Sequence, residues 1–167
     1  YLIGGIYLLL SSAYSIVMKI FLLGPEVDSP AVSSMLFFTH LVIKHFAEST
    51  ILVVTDRKDL DQQLYGQFGR CKEFLRTEPV NATSRSELIE LLKNRQSGGI
   101  IFTTIQKFEE GDGPLSTRKN IIVMTDEAHR SQYGDEHWDA RTETMKKGQA
   151  LKMREALPGA SFIGFTG

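Results

Sequence analysis

Two adjacent carboxylates, Asp126 and Glu127, follow directly on the apolar segment IIVMT at residues 121–125. Such an apolar, β-branched run predicts a strand buried on both faces. A charged side chain at the end of a buried strand lowers stability unless it is paired with another group or serves in binding or catalysis. One carboxylate there can hold Mg²⁺ beside a triphosphate, and a second can orient and deprotonate the attacking water. We therefore expect Asp126 to hold the metal, Glu127 to act as the base and His129 to couple this site to a neighbouring loop. A structural interpretation is also open, because Asp and Glu are favoured in the first turn of a helix.

Strand-like and helix-like segments alternate from residue 31 onward, and this order would position such a site. The predicted strands are 50–55, 98–106, 120–129 and 160–167. The predicted helices are 33–47, 59–69, a helix that begins at the Ser-x-x-Glu capping box 84–87, and 142–157. Alternation of this kind argues for a parallel sheet with right-handed crossovers. The expected fold class is therefore α/β, with the sheet between two layers of helices.

Polar residues fall close to the carboxyl ends of these predicted strands. The residues at or near such an end are Thr55, Thr103, Asp126 and Thr166. Ligands of parallel α/β sheets bind outside the carboxyl ends of the strands. We expect these residues to meet at one edge of the sheet.

The composition sets wider limits on function. Lys and Arg number 19, and Asp and Glu 20, among the 167 residues. No overall charge excess therefore points to nucleic acid or to an anionic membrane, although net charge says nothing of a local basic patch. Cys71 is the single cysteine, which excludes an internal disulfide framework and fits a reducing compartment.

The first 23 residues differ from the rest of the chain. They carry one charge, Lys19, and are otherwise apolar, Gly or Ser. About 20 such residues are enough to cross a bilayer as a helix, so we expect an additional apolar helix that is compatible with a membrane. A buried element and sequence foreign to the domain are the alternatives. GPEVDSP at 24–30 contains two prolines and a glycine, which end a helix and mark a boundary.

Four segments follow one another in a recognisable order: ILVVTDRKDLDQQL at 51–64, GGIIFTTIQKF at 98–108, TDEAHRSQYG at 125–134 and FIGFTG at 162–167. In this order they resemble motif Ia, motif Ib, the Walker B or DEAH-box segment, and the start of motif III of superfamily 2 helicases. The RSQYG part is more similar to the motor (R) subunit of type I restriction enzymes than to helicases in general. The resemblance implies an incomplete, three-layer RecA-like domain, the first lobe of a two-lobe translocase that pulls duplex DNA. It also implies ATP and Mg²⁺ as cofactors, modification and specificity subunits as partners, and the bacterial cytoplasm as location.

The same resemblance implies roles for individual residues. Asp126 matches the Mg²⁺ ligand, and Glu127 matches the carboxylate that activates water. The residues implied to couple nucleotide state to DNA are Asp126, His129, Thr166 and Gly167. The residues implied to contact DNA are Thr55, Asp56 and Arg57 from motif Ia, and Thr103, Thr104, Gln106 and Lys107 from motif Ib. Hydroxyl and basic side chains suit phosphate contacts, which position a duplex without reading its sequence; such residues are also common on surfaces at strand ends and helix starts.

The chain departs from the family at the phosphate-binding loop. A Gly-x-x-x-x-Gly-Lys-Ser/Thr loop should precede the first predicted helix, but the corresponding stretch is DSPAVSSM at 28–35. Ala31 and Val32 fall where Lys and Ser/Thr belong, and Pro30 lacks a backbone donor. We therefore expect residues 1–30 to lie outside the family sequence and a partial helicase ATP-binding domain to span 31–167.

These features leave two functional hypotheses. The first is a fragment of the DNA-translocating subunit, which we expect because the chain begins at Tyr1 and ends at FTG. We expect this fragment to be inactive alone because it lacks the nuclease domain and the second motor lobe. The second is a noncatalytic remnant or membrane-tethered interaction module that keeps the fold. The DSPAVSS stretch favours the second hypothesis, and the intact TDEAH segment favours the first.

Overall fold

A parallel sheet with helices on both faces forms the centre of the protein. The computed structural model describes residues 30–56, 58–109, 113–125, 137–139, 144–146 and 148–165. The helices are α1 (Pro30–His45), α2 (Lys58–Arg70), α3 (Lys72–Leu75), α4 (Arg85–Asn94), α5 (Gln106–Glu109) and α6 (Gln149–Ala156). The strands are β1 (Thr50–Thr55), β2 (Val80–Asn81), β3 (Ile100–Thr104), β4 (Ile121–Thr125), β5 (His137–Asp139), β6 (Thr144–Lys146) and β7 (Ser161–Gly164).

The central sheet contains the four strands that the sequence predicts, together with β2. Within the described part of the chain its order is β2–β3–β1–β4–β7, and every neighbouring pair is parallel. β3 is shorter than predicted because Gly98 and Gly99 have φ angles of 66° and 87°, which lie outside the extended region of a strand. The prediction of one parallel sheet is confirmed.

Two apolar clusters cover the two faces of this sheet. β1 and β3 are buried along their whole length, which explains why both are continuous apolar runs rather than alternating patterns. On one face, α1, α2 and α3 pack over the first cluster, which includes Met35 and Phe102. On the other face, α4, α5 and α6 pack over the second cluster, which includes Val54 and Leu88. The predicted α/β class with three layers is therefore confirmed.

Phe102 of β3 is a central side chain of the first cluster. It is fully buried, and the rings of Tyr65 and Phe68 meet it edge-on at centroid distances of 5.4 and 5.1 Å. Edge-to-face pairs of this kind contribute about 0.5–1.5 kcal/mol beyond their area of burial. These contacts fix α2 against the sheet directly after the β1 strand end.

The capping box predicts the start of α4 correctly, but its second half differs from the expected pattern. Ser84 is the N-cap, and its hydroxyl accepts a hydrogen bond from the Glu87 amide at 3.1 Å. The Glu87 carboxylate accepts from the amide and the hydroxyl of Thr83, at 2.8 and 2.6 Å, one residue before the N-cap. The hydrogen bonds from Thr83 hold the pKa of Glu87 below its ordinary value.

The helix predicted at 142–157 begins later than expected, and that part of the prediction is wrong. Residues Thr144–Lys146 form β6, which pairs antiparallel with β5, and α6 begins at Gln149. Gly148 is its N-cap, with an extended backbone (φ −64°, ψ 155°). Threonine favours strands, and glycine inside a helix lowers its stability. Thr144 in β6 and Gly148 therefore explain the later start of α6.

Arg118 ties together the amino edge of the sheet, where β1 and β4 begin. Its guanidinium donates to the carbonyl oxygens of Leu92 and Arg95 at the end of α4, at 2.9 and 2.5 Å. It also donates to Thr50 Oγ1 at 2.8 Å and to Asn120 Oδ1 at 3.0 Å. Burial lowers the pKa of the Arg118 guanidinium, which still stays charged because an arginine does not deprotonate in proteins. A cation is favoured at this point because the last carbonyls of a helix lack backbone partners.

Asn120 extends this network to two further loops. Its amide nitrogen donates to Glu48 O at 2.7 Å and to Gln96 O at 3.0 Å. Glu48 precedes β1, and Gln96 precedes β3. The loops that enter β1, β3 and β4 are therefore joined by side-chain hydrogen bonds.

The remaining predictions about the chain concern its N-terminus and its cysteine. Residues 1–23, where we predicted a membrane-compatible helix, lie outside the described residues. Among the helices that the structure describes, none is long and apolar enough to cross a bilayer. Cys71 is a buried free thiol, and burial raises its pKa, which disfavours the reactive thiolate.

Candidate functional site

The carboxyl ends of β1, β3 and β4 lie side by side, as the sequence predicts. Thr55 is the register partner of Thr104, and Val54 is the partner of both Thr103 and Thr125. The pairing continues past the end of β3, because Ile105 N donates to Thr55 O at 2.9 Å. We refer to the edge formed by residues 55–56, 103–107, 125 and 164–165 as the carboxyl edge.

The two segments predicted to face DNA, motif Ia and motif Ib, are brought together at this edge. Gln106 Nε2 donates to Asp56 O at 2.9 Å, across 50 positions of sequence. Asp56 and Gln106 are both half-buried. Together with the bond from Ile105 N to Thr55 O, two consecutive carbonyls of motif Ia are bound by groups of the motif Ib segment.

The threonines of β3 are buried. Thr103 is 0% exposed and Thr104 is 5% exposed. Neighbouring residues of a strand point to opposite faces of the sheet. Thr104 therefore lies on the same face as Phe102 and the first cluster, and Thr103 lies on the face of the second cluster. Within the described part of the chain, Thr103 Oγ1, Thr104 Oγ1 and Gln106 Oε1 are buried without a hydrogen-bond partner. Three unpaired polar atoms so close together in sequence are unusual, because most buried polar atoms in proteins have a partner.

Arg85 at the start of α4 supports the segment that follows β3. Its guanidinium donates to Lys107 O at 2.9 Å and to Gly113 O at 3.2 Å. The Lys107 side chain is half-buried. Sequence reasoning did not single out Arg85, because its acceptors are backbone carbonyls 22 and 28 positions away, and such bonds leave no local pattern.

The ends of β4 and β7 also meet at the carboxyl edge. Phe165 N donates to Thr125 O at 2.9 Å, and Thr125 Oγ1 donates to Ile163 O at 3.4 Å. The ring of Phe165 meets Phe38 of α1 edge-on, with a centroid distance of 6.0 Å. The residues that directly precede Asp126 and Thr166 in sequence are thus hydrogen-bonded to each other.

Several predicted site residues lie outside the described part of the chain. They are Arg57, Asp126, Glu127, His129, Thr166 and Gly167. Their roles stay predictions.

Asp126 and Glu127, the predicted magnesium site, follow the end of β4 in sequence and lie outside the described residues. Within the described residues no group of three or more His, Cys, Asp or Glu side chains is assembled that could hold a metal. Mg²⁺ does not need such a group, because it is usually held by one or two carboxylates together with water and substrate phosphates. The Thr125 hydroxyl ends a buried strand, and two carboxylates follow in sequence, which is a donor set that Mg²⁺ accepts.

With the fold and this edge described, comparison with known proteins identifies the family. The profile of the SWI2/SNF2 ATPase family matches residues 31–167. The chain belongs to the SWI2/SNF2 ATPase family. The similarity to type I restriction R subunits expected from the four ordered segments is also confirmed by individual relatives.

Three curated relatives of this SWI2/SNF2 chain are restriction proteins. The type I restriction enzyme HindI endonuclease subunit of Haemophilus influenzae is 45% identical over 141 residues, which cover 80% of this chain and 13% of that protein. The putative type I restriction enzyme MjaIXP endonuclease subunit of Methanocaldococcus jannaschii is 40% identical over 140 residues, 80% of this chain and 12% of the relative. A type I restriction enzyme endonuclease subunit of Staphylococcus aureus, SauCOLORF180P, is 30% identical over 123 residues, 70% of this chain and 11% of the relative. The chain therefore spans only 11 to 13% of the length of these relatives.

Proposed function

We propose that this SWI2/SNF2 chain is part of the ATP-dependent, DNA-translocating subunit of a type I restriction endonuclease, from the first lobe of its motor. The observation that carries the proposal is the hydrogen-bonded meeting of the Thr55–Asp56 and Ile105–Gln106 segments at the carboxyl edge. These are the segments that resemble helicase motifs Ia and Ib. The type I endonuclease subunits among its relatives support the same conclusion.

The ATP side of the proposed motor lies at the ends of β4 and β7. When bound, ATP and Mg²⁺ supply the phosphoryl group that passes to water and the positive charge that stabilises the transfer. We assign Asp126 to hold Mg²⁺ and Glu127 to orient the attacking water and accept its proton. Both follow Thr125 in sequence, and the Thr125 carbonyl accepts a hydrogen bond from Phe165 N at 2.9 Å.

The coupling of nucleotide state to DNA is assigned to the residues that continue these two strands. They are Asp126, His129, Thr166 and Gly167. The assignment is supported by the hydrogen bond from Phe165 N to Thr125 O at 2.9 Å, which joins the residues directly before Thr166 and Asp126.

The DNA side of the proposed motor lies at the ends of β1 and β3. The residues assigned to it are Thr55, Asp56, Arg57, Thr103, Thr104, Gln106 and Lys107. Among them, the basic side chains of Arg57 and Lys107 suit contacts to phosphates, which hold a duplex without reading its sequence. The side chains of Thr55, Thr103 and Thr104 are buried, and we assign them to support the strand ends of the DNA side. We propose duplex DNA as the substrate, modification and specificity subunits as the partners, and the bacterial cytoplasm as the location.

A second candidate function is a noncatalytic module that keeps the fold of the motor lobe. DSPAVSSM at 28–35, where a phosphate-binding loop is expected, favours it. Phosphoryl transfer depends chiefly on positioning and neutralising the phosphates, which that loop provides. The nucleotide sequence immediately upstream decides between the two, because a frame that encodes Gly-Lys-Ser/Thr before residue 31 supports the motor, and its absence supports the noncatalytic module.

The proposed function is tested by Glu127→Gln in a full-length parent subunit that contains residues 31–167 together with a phosphate-binding loop. The substitution keeps the size of the side chain and removes the base, so DNA-stimulated phosphate release should fall by about 10²–10⁴-fold, while nucleotide binding stays. Glu90→Gln, on the exposed side of α4, is the matched control and should leave the rate unchanged. Near-normal turnover in Glu127→Gln would contradict the assignment of the base.

A further inference from the structure

Arg85 joins the start of α4 to the segment that follows β3. One terminal nitrogen of its guanidinium donates to the carbonyl oxygen of Lys107 at 2.9 Å, and the other donates to that of Gly113 at 3.2 Å. Because the guanidinium is a planar, rigid fork of donors, it holds these two carbonyls close to each other. A single side chain therefore fixes the backbone both within α5 and after it.

The stability of α4 does not explain an arginine at this position. α4 begins at Arg85, directly after the N-cap Ser84. The N-terminal end of a helix carries a partial positive charge and favours anions, so a cation at the first position is unfavourable for the helix itself. Both carbonyls that accept from Arg85 lie outside α4. The contact with the segment after β3 therefore accounts for the arginine.

The turn after β3 is held from two sides. On the side of β1, Gln106 Nε2 donates to Asp56 O at 2.9 Å. On the side of α4, Arg85 binds the Lys107 carbonyl. Because β2 and β3 are parallel, the start of α4 after β2 and the turn after β3 both lie on the carboxyl side of the sheet. The half-buried Lys107, a basic residue of the proposed DNA side, is thus fixed there through its own backbone.

We propose that Arg85 is a positioning residue for DNA binding: through the carbonyls of Lys107 and Gly113 it holds the turn after β3 so that Lys107 meets a DNA phosphate, and its own charge does not contact the DNA. This inference rests on the proposed function, because it assumes that DNA binds at the carboxyl edge. Arg85 lies outside the four segments that resemble helicase motifs, so the resemblance assigns no role to it.

The substitution Arg85→Lys separates positioning from direct contact. Lysine keeps the positive charge, but its single nitrogen cannot reproduce the planar fork that reaches both carbonyls. Each cationic contact to a phosphate releases counterions and contributes about 0.9 to the slope of log affinity against log salt. If Arg85 itself contacted a phosphate, lysine would keep that contribution. If Arg85 positions Lys107, the contribution of Lys107 is lost together with the fork.

The experiment measures binding of the 167-residue chain to a short labelled duplex by fluorescence anisotropy at several salt concentrations. We expect Arg85→Lys and Lys107→Gln each to reduce the slope by about 0.9, and the double variant to reduce it no further. Lys93→Gln, exposed in the last turn of the same helix, is the control for the loss of one charge and should keep the slope of the unsubstituted chain. Hydrogen exchange of Arg85→Lys should be faster at residues 106–109, while the protection of β1 and β3 shows that the variant is folded. Gly113→Ala is a second variant, because it strains the positive φ of 88° at one acceptor without changing any charge, and it should also lower the slope.

The outcomes keep the two proposals apart. If Lys107→Gln lowers the slope and Arg85→Lys leaves it unchanged, the positioning role is overturned and the proposed DNA side stands. Unchanged hydrogen exchange at residues 106–109 in Arg85→Lys would overturn the positioning role as well, because the fork would then not hold the turn. If Arg85→Lys does not fold, an unchanged slope in Gly113→Ala overturns it instead. If the unsubstituted chain shows no salt-dependent binding to DNA, or if Lys107→Gln changes nothing, the proposed DNA side itself fails, and the role of Arg85 falls with it.

Discussion

The amino and carboxyl edges of the sheet differ in how completely their side-chain polar groups are hydrogen-bonded. At the amino edge, the Arg118 guanidinium reaches four acceptors, and the Asn120 amide reaches two backbone carbonyls. At the carboxyl edge, the hydroxyls of Thr103 and Thr104 and the Gln106 oxygen are buried and have no hydrogen-bond partner among the described residues. Each buried polar group without a partner lowers the free energy of unfolding by about 1–3 kcal/mol. We therefore expect the side chains of the amino edge to contribute more stability than those of the carboxyl edge. Parallel sheets bind their ligands at the carboxyl edge, and these three unpaired atoms are on that side.

The largest change in stability is expected at the amino edge. Arg118→Ala removes bonds to two helix-end carbonyls and to Thr50, and should lower the free energy of unfolding by about 3 kcal/mol. Arg118→Lys keeps the charge but not the planar fork of donors and should lose an intermediate amount. Urea unfolding followed by circular dichroism measures both. Arg154→Ala, on the exposed surface of α6, is the control. If the Arg118→Ala protein were as stable as this control, the Arg118 hydrogen bonds would not stabilise the amino edge, and the proposed difference between the two edges would be wrong.

A matched pair of threonines should change stability in opposite directions. Thr50 and Thr103 are both fully buried strand residues. The Thr50 hydroxyl accepts from Arg118 at 2.8 Å, whereas the Thr103 hydroxyl has no partner in the described structure. Valine has the same shape without the hydroxyl. Thr50→Val should therefore destabilise the protein by about 1 kcal/mol, and Thr103→Val should be neutral or stabilise it by up to about 1 kcal/mol. Equal destabilisation by both substitutions in urea unfolding would mean that Thr103 finds a partner in solution.

The smallest effect is expected at the Glu87 cap beside the carboxyl edge. Because the folded-state pKa lies below the ordinary value, the ionised carboxylate favours the folded form. Its contribution is present above the ordinary carboxylate pKa of 4.5, and it is lost as the pH falls through the lower folded-state pKa. Glu87→Gln should therefore be less stable than the unsubstituted chain at neutral pH, and the difference should shrink in acid. Thermal unfolding across this pH range measures the stability difference between the two proteins. Thr83→Val, which removes one hydrogen bond to the Glu87 carboxylate, should reduce the pH dependence. A stability difference that stays constant with pH would contradict the proposed role of the Glu87 carboxylate.

The strands could be predicted because burial on both faces of the sheet requires a continuous run of apolar residues. TILVVT at 50–55 and IIVMT at 121–125 are continuous apolar runs, and the buried β1 and β4 strands occupy these residues. The start of α4 could be predicted because its cap is local, between Ser84 and Glu87. The late start of α6 was missed because the helical pattern of 149–156 was extended backwards through Gly148 and into the β6 strand.

The candidate site could be predicted in its position but not in its internal contacts. Parallel strands bring their carboxyl ends to one edge, so the nearness of Thr55 to Thr104 followed from the sequence. The bond from Gln106 to the Asp56 carbonyl did not, because any residue can offer a backbone carbonyl and no residue type signals it. The Arg118 network was missed for the same reason, since two of its acceptors are the carbonyls of Leu92 and Arg95.

The shortness of β2 has a consequence for the behaviour of the protein in concentrated solution. Val80–Asn81 is the outermost strand on the β3 side of the described sheet, and it is two residues long. An exposed strand edge offers a row of unpaired amides and carbonyls to which another chain can add, and very short edge strands reduce that risk. The chain then turns into helix α4, which begins at Arg85, soon after β2. Edge-to-edge association between copies is therefore disfavoured on this side by the length of the strand itself.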